Sequence, residues 1–518
     1  MTSIYTPPTE FPQFDANDPA LLADVAKGHA RLTPEQGLEL LVQTPIHTLG
    51  RHADARCRAI HGHQYRTFVI DRNINYTNVC TAVCTFCAFR RSLGDTDAYT
   101  LEHQAIYDKI AEIAALGGTQ ILMQGGMNPE LPLDWYIDLL SGIRDRFPGI
   151  HIHAFSPPEF IEFVNFFDPP GATLEDKIRF VMVRLQEAGL DSIPGGGGEI
   201  FAPAVRQKIG LGKCTAEAWL TCMFVAHSLG MFTSATMMFG HIEGHADRIH
   251  HLHLVRKWQD KALQSFGGPA RRAGSEPVAP VSNRSEYQGG APFSRPSEHQ
   301  GGAPSSRPSQ HKGGAASSRP SFGHYTAFIS WPFQRDNSPL GRVKNWGSTP
   351  QDLTQNPIFP GDAIARLDGN GTKADHPEFG RRLRMAGAVE YLRTQATSRL
   401  FLDNIYSIGA SWVTMGPHIG QLGLLYGAND MGSVMLEENV VSAAGTTYCL
   451  DEAVLCRLIR DAGFTPAQRN NTYDILEIKT ADNAPDEKVT DWSTHRAEKL
   501  QTQAAQTNEA ELTVGQSN

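Results

Sequence analysis

Three cysteines of this sequence lie within eight positions, although the whole chain of 518 residues contains only eight cysteines. Cys80, Cys84 and Cys87 form a CxxxCxxC pattern, and no cysteine or histidine occurs in the next ten residues. A structural zinc site needs four protein ligands, one more than this group supplies. A [4Fe–4S] cluster also takes one ligand per iron, so three thiolates would leave one iron open to a small molecule. The spacing favours an iron–sulfur cluster, and a zinc site closed by one distant ligand is the alternative.

The composition of the chain argues against a nucleic-acid or membrane partner. Its net charge is -9, with 41% hydrophobic and 19% charged residues, so there is no excess of positive charge for a polyanion. The sequence has no run of about 18 apolar residues, and residues 1–20 lack the basic and apolar regions of a signal peptide. We therefore expect a cytoplasmic protein, in whose reducing environment clustered cysteines bind metal rather than form disulfides.

A repeated alternation of β-rich segments and amphipathic helices must position these cysteines. Six strand-like segments alternate with turns and helices between Thr67 and Gln334, namely TFVIDRNINYTN, TQILMQGG, IHIHAFSPPE, LDSIPGGGGEI, FTSATMMFGH and YTAFISWPFQ. In the helices, apolar residues recur three or four positions apart, as at Ile178, Val181 and Leu185. This succession predicts an α/β fold with parallel strands in a partial, TIM-like (β/α)6 barrel. Functional residues of such a barrel lie at the carboxyl ends of its strands.

The residues around the cysteines indicate which small molecule would bind the open iron. S-adenosylmethionine can chelate iron through its amino and carboxylate groups, and reduction of the cluster then cleaves it to a 5′-deoxyadenosyl radical. Phe86 lies between the second and third cysteines, and Gly125 and Gly126 end the second predicted strand. The radical SAM superfamily contacts the adenine and the amino group of its cofactor at these positions, so the sequence resembles that superfamily. The resemblance implies an enzyme with a [4Fe–4S] cluster and S-adenosylmethionine as cofactors.

Longer blocks of sequence resemble one particular family within this superfamily. The blocks NINYTNVC, GGTQILMQGGMNP, HIHAFSPPE, SIPGGGGEI and GANDMGSVMLEENVVSAAG are similar to the cyclic dehypoxanthinyl futalosine synthase family of menaquinone biosynthesis, from about Leu32 to Arg469. This similarity implies a radical SAM oxidoreductase that performs an oxidative cyclisation. The deoxyadenosyl radical would remove hydrogen from C4′ of dehypoxanthine futalosine, and the resulting radical would add to the benzoate ring. Aminofutalosine synthase and the radical subunit of deazaflavin synthesis share many of these blocks and are the alternatives.

Polar residues near the predicted strand ends are candidates for the rest of the site. Gln124, Ser156 and Glu199 are expected to contact the cofactor. Glu199 could accept hydrogen bonds from ribose hydroxyls or act as the base in the final proton loss, and its structural alternative is a carboxylate stabilised by a helix N-terminus. His153 and His241 could contact the substrate as catalytic residues, although a single histidine is commonly a hydrogen-bonded structural residue.

The benzoate of the implied substrate requires a cationic partner, for which arginine offers bidentate pairing. The candidates are Arg90 and Arg91, directly after the cysteine cluster, and Arg206. At Arg90 the sequence departs from the family, which has an aromatic residue directly after CAF. The implied reaction also requires a low-potential electron donor, such as flavodoxin or ferredoxin.

The sequence predicts four regions in the chain. They are an N-terminal helical segment (1–66), the barrel (67–335), a C-terminal α/β extension that completes the substrate site (336–480) and a polar tail (481–518). Residues 267–322 contain no Leu, Ile, Met or Trp and repeat a 12-residue unit rich in Gly, Ser, Pro and Arg, so we predict a disordered insertion. Residues 341–380 are rich in turn-forming residues and are predicted to form a second, irregular insertion.

Deletion of Gly267 to Phe322 is expected to leave activity within a few-fold of the full-length chain, because closing a long loop costs little free energy. The measurement is the rate of 5′-deoxyadenosine formation by the anaerobically reconstituted protein. An inactive deletion variant with a normal circular dichroism spectrum would show that the insertion takes part in function.

Overall fold

The computed structural model describes residues 18–266, 322–342, 386–446 and 448–480. The polar tail 481–518 lies outside these residues, as do nearly all of the predicted insertions 267–322 and 341–380. The disorder and irregularity predicted for those segments therefore stay predictions.

The described helices include those predicted from apolar spacing. They are α1 (Pro19–Lys27), α2 (Pro34–Gln43), α3 (Ile46–His61), α4 (His103–Ala115), α5 (Leu133–Arg146), α6 (Pro157–Phe167), α7 (Leu174–Glu187), α8 (Pro203–Ile209), α9 (Ala216–Ser228), α10 (His245–Phe266), α11 (Ala388–Phe401), α12 (Trp412–Met415), α13 (Pro417–Gly423), α14 (Val440–Ala443) and α15 (Glu452–Asp461). In α7, Thr173 and Asp176 form a capping box, and Ile178, Val181 and Leu185 are buried as their spacing predicts. None of the helices in this described part of the chain is both long and apolar enough to cross a membrane.

Most of the strands belong to one sheet. The strands are β1 (Tyr65–Val69), β2 (Asp71–Ile74), β3 (Val83–Cys84), β4 (Gln120–Met123), β5 (His151–Ala154), β6 (Ser192–Ile193), β7 (Gly210–Leu211), β8 (Phe232–Phe239), β9 (Tyr325–Pro332), β10 (Ser407–Gly409), β11 (Asp430–Ser433), β12 (Thr465–Arg469) and β13 (Ile475–Ile478). The sheet has the order β13-β12-β1-β11-β10-β9-β8-β6-β5-β4-β2, and its pairs are parallel except β12 with β13.

The parallel strands curl around a shared interior. Only Ile70 separates β1 from β2, so this run of chain pairs with β4 on one side and with β11 on the other. All six predicted strand segments are present in chain order, which confirms the α/β fold with a curled, TIM-like barrel of parallel strands. Two further parallel strands, β10 and β11, come from the C-terminal part of the chain and lie between β9 and β1. The last predicted barrel strand therefore continues directly into strands of the predicted extension.

A single apolar core joins the helices to the sheet. It contains Leu40 of α2, Phe68 of β1, Ile121 of β4, Trp219 of α9 and Leu455 of α15, each at most 1% exposed. Helices from both ends of the described chain thus share one core with the strands. Burial of apolar area of this kind is the main source of folding free energy.

A small antiparallel ribbon attaches the cysteine loop to the segment after α8. Its strands are β3 and β7, in which Val83 pairs with Leu211 and Cys84 with Gly210. The ribbon continues through Thr85, whose backbone N–H donates to the carbonyl of Ile209 at 2.9 Å. The middle cysteine of the cluster is thereby held by backbone hydrogen bonds and not only by its own loop.

A buried ion-pair network joins α10 to α11. Arg248 Nε donates to Glu243 Oε1 at 2.8 Å, and Arg248 NH2 donates to Glu390 Oε1 at 2.5 Å. The side chain of Arg248 is only 2% exposed, and the two carboxylates are 0% and 1% exposed. These charges are stable in the interior only as a complete set, because an unpaired charge there is strongly destabilising.

Replacement of Arg248 by alanine is expected to lower the free energy of unfolding by about 3–5 kcal/mol, because two buried carboxylates lose the guanidinium that they share. Urea denaturation followed by circular dichroism measures the effect. The control is Arg457→Ala, which removes an exposed pair with Asp461 and is expected to cost at most about 1 kcal/mol. Equal effects of the two variants would contradict this account of the network.

Candidate active site

A cavity of about 500 Å³ is lined by residues at the carboxyl ends of the parallel strands. Gln124 follows β4, Ser156 follows β5, Glu199 lies beyond β6, and Ser411 follows β10. The C-terminal part of the chain contributes further lining residues between Gly409 and Tyr473. The cavity therefore lies where ligand sites of α/β barrels are found.

All three clustered cysteines line this cavity. Cys80, Cys84 and Cys87 are free thiols of intermediate exposure, and the backbone N–H of Cys87 donates to the carbonyl of Cys84 at 3.2 Å. Burial raises the pKa of the Cys84 thiol to about 11, so a bound metal centre would have to favour its thiolate. The described residues include no three His, Cys, Asp or Glu side chains placed to hold one metal ion. A [4Fe–4S] cluster does not require such a group, because each thiolate binds a different iron.

The glycine pair is packed too tightly to accept side chains. A Cβ at Gly126 would lie 2.0 Å from the carbonyl oxygen of Val79 and 3.0 Å from Cβ of Cys80, and one at Gly125 would lie 2.5 Å from the ring of Tyr76. Gly126 therefore brings its backbone directly against the start of the cysteine loop. Both glycines line the cavity, as expected where a backbone approaches a ligand closely. This tight packing, together with the three free thiols, fits a cluster-bound cofactor.

A carboxylate that the sequence analysis missed holds this region together. Glu159 is 2% exposed and accepts hydrogen bonds from the Tyr76 hydroxyl at 2.7 Å, from the Gly125 N–H at 3.1 Å and from both the N–H and the hydroxyl of Ser156 at 2.7 Å. Burial raises the pKa of Glu159, and these donors oppose the shift. The spacing of Ser156 and Glu159 in the sequence is that of a helix capping box and could have pointed to Glu159, since the two residues form the capping box of α6. Ser156 lies in the predicted region, but its hydroxyl is already bonded to Glu159.

Glu199 and Lys213 form an ion pair at the cavity wall. Lys213 Nζ donates to Glu199 Oε1 at 2.7 Å and lies 4.9 Å from the centre of the Phe86 ring. Burial alone would lower the pKa of Lys213, but the Glu199 carboxylate and Cys84 together outweigh burial and raise it. Glu199 has a φ of 41°, a strained conformation that is commonly found at functional sites. It precedes α8 by four residues, so a helix N-terminus does not account for it.

His153 lies in the floor of the cavity, among polar residues from distant parts of the chain. Its Nδ1 is 2.6 Å from the hydroxyl oxygen of Ser192, which accepts a hydrogen bond from Asn471 Nδ2 at 2.8 Å. Burial lowers the pKa of His153 to about 3, so its imidazole is uncharged at neutral pH. Beside it, Arg469 Nε donates to Asp430 Oδ2 at 2.6 Å.

Of the three candidate arginines, only Arg90 lines the cavity. Arg90 NH2 donates to the Ser92 hydroxyl at 2.9 Å, and Arg90 Nε is buried without a hydrogen-bond partner. Arg91 Nε donates to Asp97 Oδ2 at 2.6 Å, and the rest of its guanidinium binds loop carbonyls. Arg206 is buried, where it donates to the carbonyls of Gly197, Gly198 and Cys214. The structure therefore separates Arg91 and Arg206 from the cavity lining.

His241 also lies outside the cavity lining. It is 2% exposed, its Nδ1 accepts the Ile242 N–H at 2.7 Å, and its Nε2 is 3.1 Å from the carbonyl oxygen of Met238. Glu243 lies beside it, with Oε2 at 3.0 Å from Nδ1. These contacts are those of a hydrogen-bonded structural histidine, the alternative considered for this residue. The cavity does include Phe86, Gln124, Gly125, Gly126, Ser156, Glu199 and His153 from the predicted set.

Relatives of known name cover most of the chain. Cyclic dehypoxanthine futalosine synthase of Halalkalibacterium halodurans is 35% identical over 86% of this chain and 92% of the relative. The protein of the same name from Streptomyces coelicolor is 32% identical over 90% and 92% of the two chains. Aminodeoxyfutalosine synthase of Thermus thermophilus is 29% identical over 89% of this chain and 97% of the relative.

Family models and a solved structure agree with these relatives. The solved structure of methylornithine synthase (PylB) is similar in fold, with a TM-score of 0.50 and 14% identity over 86% of this chain and 97% of that chain. Residues 74–255 match the radical SAM superfamily, whose members use a [4Fe–4S] cluster and S-adenosylmethionine, and residues 378–482 match the CofH/MqnC C-terminal region. The predicted superfamily and cofactors are thus confirmed. This chain belongs to the radical SAM superfamily, in the group that carries the CofH/MqnC C-terminal region and includes the cyclic dehypoxanthine futalosine synthases.

Proposed function

We propose that this chain is a radical SAM cyclase that converts dehypoxanthine futalosine to cyclic dehypoxanthinyl futalosine in menaquinone biosynthesis. The observation that supports it most is that three free thiols, the glycine pair and the Glu199–Lys213 ion pair line one cavity of about 500 Å³. Relatives named for this reaction, at 35% and 32% identity over most of both chains, favour this substrate. A low-potential cytoplasmic protein of the flavodoxin or ferredoxin class would supply the electron.

In this proposal the cysteine loop and the glycine pair hold the cofactors. Cys80, Cys84 and Cys87 would bind the cluster, and the close backbone at Gly125 and Gly126 would receive the amino group of S-adenosylmethionine. When bound, these groups supply a carbon-centred radical that removes hydrogen from C4′ of the substrate. The chain itself would orient the benzoate ring against C4′ and keep water from the reacting carbon.

Two predicted residues have surroundings that favour distinct roles. Glu199 is bonded to Lys213 at 2.7 Å, and its carboxylate oxygens at the cavity wall suit acceptance of hydrogen bonds from ribose hydroxyls. The predicted contacts of Phe86 and Gln124 with the cofactor are part of the same proposal, since both line the same cavity as Glu199. His153, uncharged and fixed by Ser192, would contact the substrate at the cavity floor.

Arg90 is proposed to bind the benzoate carboxylate. Three arginine or lysine side chains line the described cavity: Arg90, Lys213 and Arg469. Lys213 pairs with Glu199 and Arg469 with Asp430, whereas the hydrogen bond of Arg90 goes to the neutral hydroxyl of Ser92. A guanidinium with a buried, unbonded Nε at the cavity wall is suited to receive a carboxylate from the substrate.

Aminodeoxyfutalosine synthase is the second candidate, because a relative of that name aligns over 97% of its length. That reaction adds the adenosyl radical to an enolpyruvate, so the product keeps the adenosyl group. The cyclase reaction releases free 5′-deoxyadenosine. A zinc-binding scaffold is the distant alternative, and it would give a colourless protein without iron.

The reconstituted protein, incubated anaerobically with dehypoxanthine futalosine, S-adenosylmethionine and dithionite, is expected to form a product that lacks two hydrogens. One free 5′-deoxyadenosine per product should appear in the mass spectrum. Cys84→Ala is expected to lose this activity and its iron while the circular dichroism spectrum stays unchanged. An adenosylated product would favour the second candidate, and product formation by Cys84→Ala would contradict the proposed cluster.

Replacement of Arg90 by methionine is expected to raise KM for the substrate by about 10- to 100-fold, since a hydrogen bond to a charged group contributes about 1.5–3 kcal/mol. Steady-state kinetics measure the effect, and Arg90→Lys should recover part of the affinity because it keeps the charge. Arg51→Met, at an exposed position of α3 outside the cavity lining, is the control. An unchanged KM in Arg90→Met would exclude this residue as the carboxylate partner.

A further inference from the structure

Lys213 is held beside the cysteine cluster by backbone structure. The β3–β7 ribbon pairs Cys84 with Gly210, and the backbone N–H of Lys213 donates to the carbonyl of Gly210 at 3.0 Å. Its Nζ lies 4.9 Å from the centre of the Phe86 ring, and Phe86 is between Cys84 and Cys87 in the chain. The ribbon and the aromatic contact therefore bring a lysine ammonium to the loop that carries the cysteines.

The charge of Lys213 is poorly screened by water. Its side chain is 11% exposed, and that of Glu199, its partner, is 7% exposed. Buried charges interact more strongly than exposed ones, because the surrounding dielectric is low. The contact of Lys213 Nζ with the Phe86 ring places the cation at the cysteine loop, and Glu199 is bonded to that cation.

We propose that Lys213 raises the reduction potential of the iron–sulfur cluster, acting through the cysteine sulfurs as a positioning residue. Reduction transfers one electron from a low-potential donor to the cluster, whose net charge becomes more negative by one, with no proton taken up and no bond broken. A buried cation stabilises the reduced form more than the oxidised form, because the added charge is negative. Glu199 limits this effect by pairing with the lysine.

This inference depends on the cluster and not on the identity of the substrate. It would hold for either of the two reactions considered above. Its failure would therefore leave the proposed cyclase reaction untouched, and failure of that reaction would leave the inference testable.

The test is a redox titration of the full-length, reconstituted protein, with dithionite and mediators, followed by electron paramagnetic resonance without S-adenosylmethionine or substrate. Lys213→Met is expected to lower the equilibrium constant for reduction about tenfold, which is about 59 mV for one electron. Lys213→Arg should keep the wild-type potential because it keeps the charge. Glu199→Gln should shift the potential upward, since the lysine loses its compensating charge.

The matched control is Lys208→Met, which removes the same charge from an exposed position of α8. Its potential is expected to equal that of the wild type. A wild-type potential in Lys213→Met, or a downward shift in Glu199→Gln, would overturn the proposal. If Lys213→Met fails to bind about four irons per chain, Glu199→Gln decides alone, and an unchanged potential in that variant also overturns the proposal.

Discussion

The site depends on one buried carboxylate. Glu159 accepts hydrogen bonds from Tyr76 beyond β2, from Gly125 beyond β4 and from Ser156 at the start of α6. A buried carboxylate is tolerated only when its oxygens are satisfied, so these chain segments must meet at one point. The same contacts place Gly126 against the carbonyl of Val79, immediately before the first cysteine. This carboxylate, together with the β3–β7 ribbon, thus fixes the position of the cysteine loop on the barrel.

Electrostatic pairing then determines which charges remain available to ligands. Lys213 and Arg469 line the cavity, but each is bonded to a carboxylate, at 2.7 Å and 2.6 Å. Because burial makes such pairs strong, these two cations are already satisfied by the protein, and Arg90 is the cation proposed to bind a carboxylate of the substrate. The cavity thereby contains two ion pairs, Lys213 with Glu199 and Arg469 with Asp430, and one arginine, Arg90, that donates to the neutral hydroxyl of Ser92. This arrangement suits a substrate that carries both ribose hydroxyls and an anionic ring.

The sequence correctly predicted which residues lie together where this depends on their spacing along the chain. The three cysteines, Phe86 and the glycine pair lie together as their positions along strands and turns predict. It was a poor guide for long side chains. Arg206 stands near the GGGGE segment, yet its guanidinium binds the carbonyls of Gly197 and Gly198 in that turn. A flexible arginine can reach either the cavity or the backbone behind it, and only the packing of α8 decides between them.

The sequence by itself indicated the three cysteines proposed as cluster ligands and the succession of six strands and helices, because these follow from short-range spacing. The superfamily followed from the resemblance of the motifs to known members. Tertiary structure decided what depends on distant segments. The pairing of Thr67 with Asp430 brings C-terminal strands into the sheet, and Asn471 reaches Ser192 at the cavity floor. The partnership of Lys213 with Glu199 also needed the fold, since their separation of 14 residues includes a helix and a ribbon. Such contacts leave no periodic signal in a single sequence.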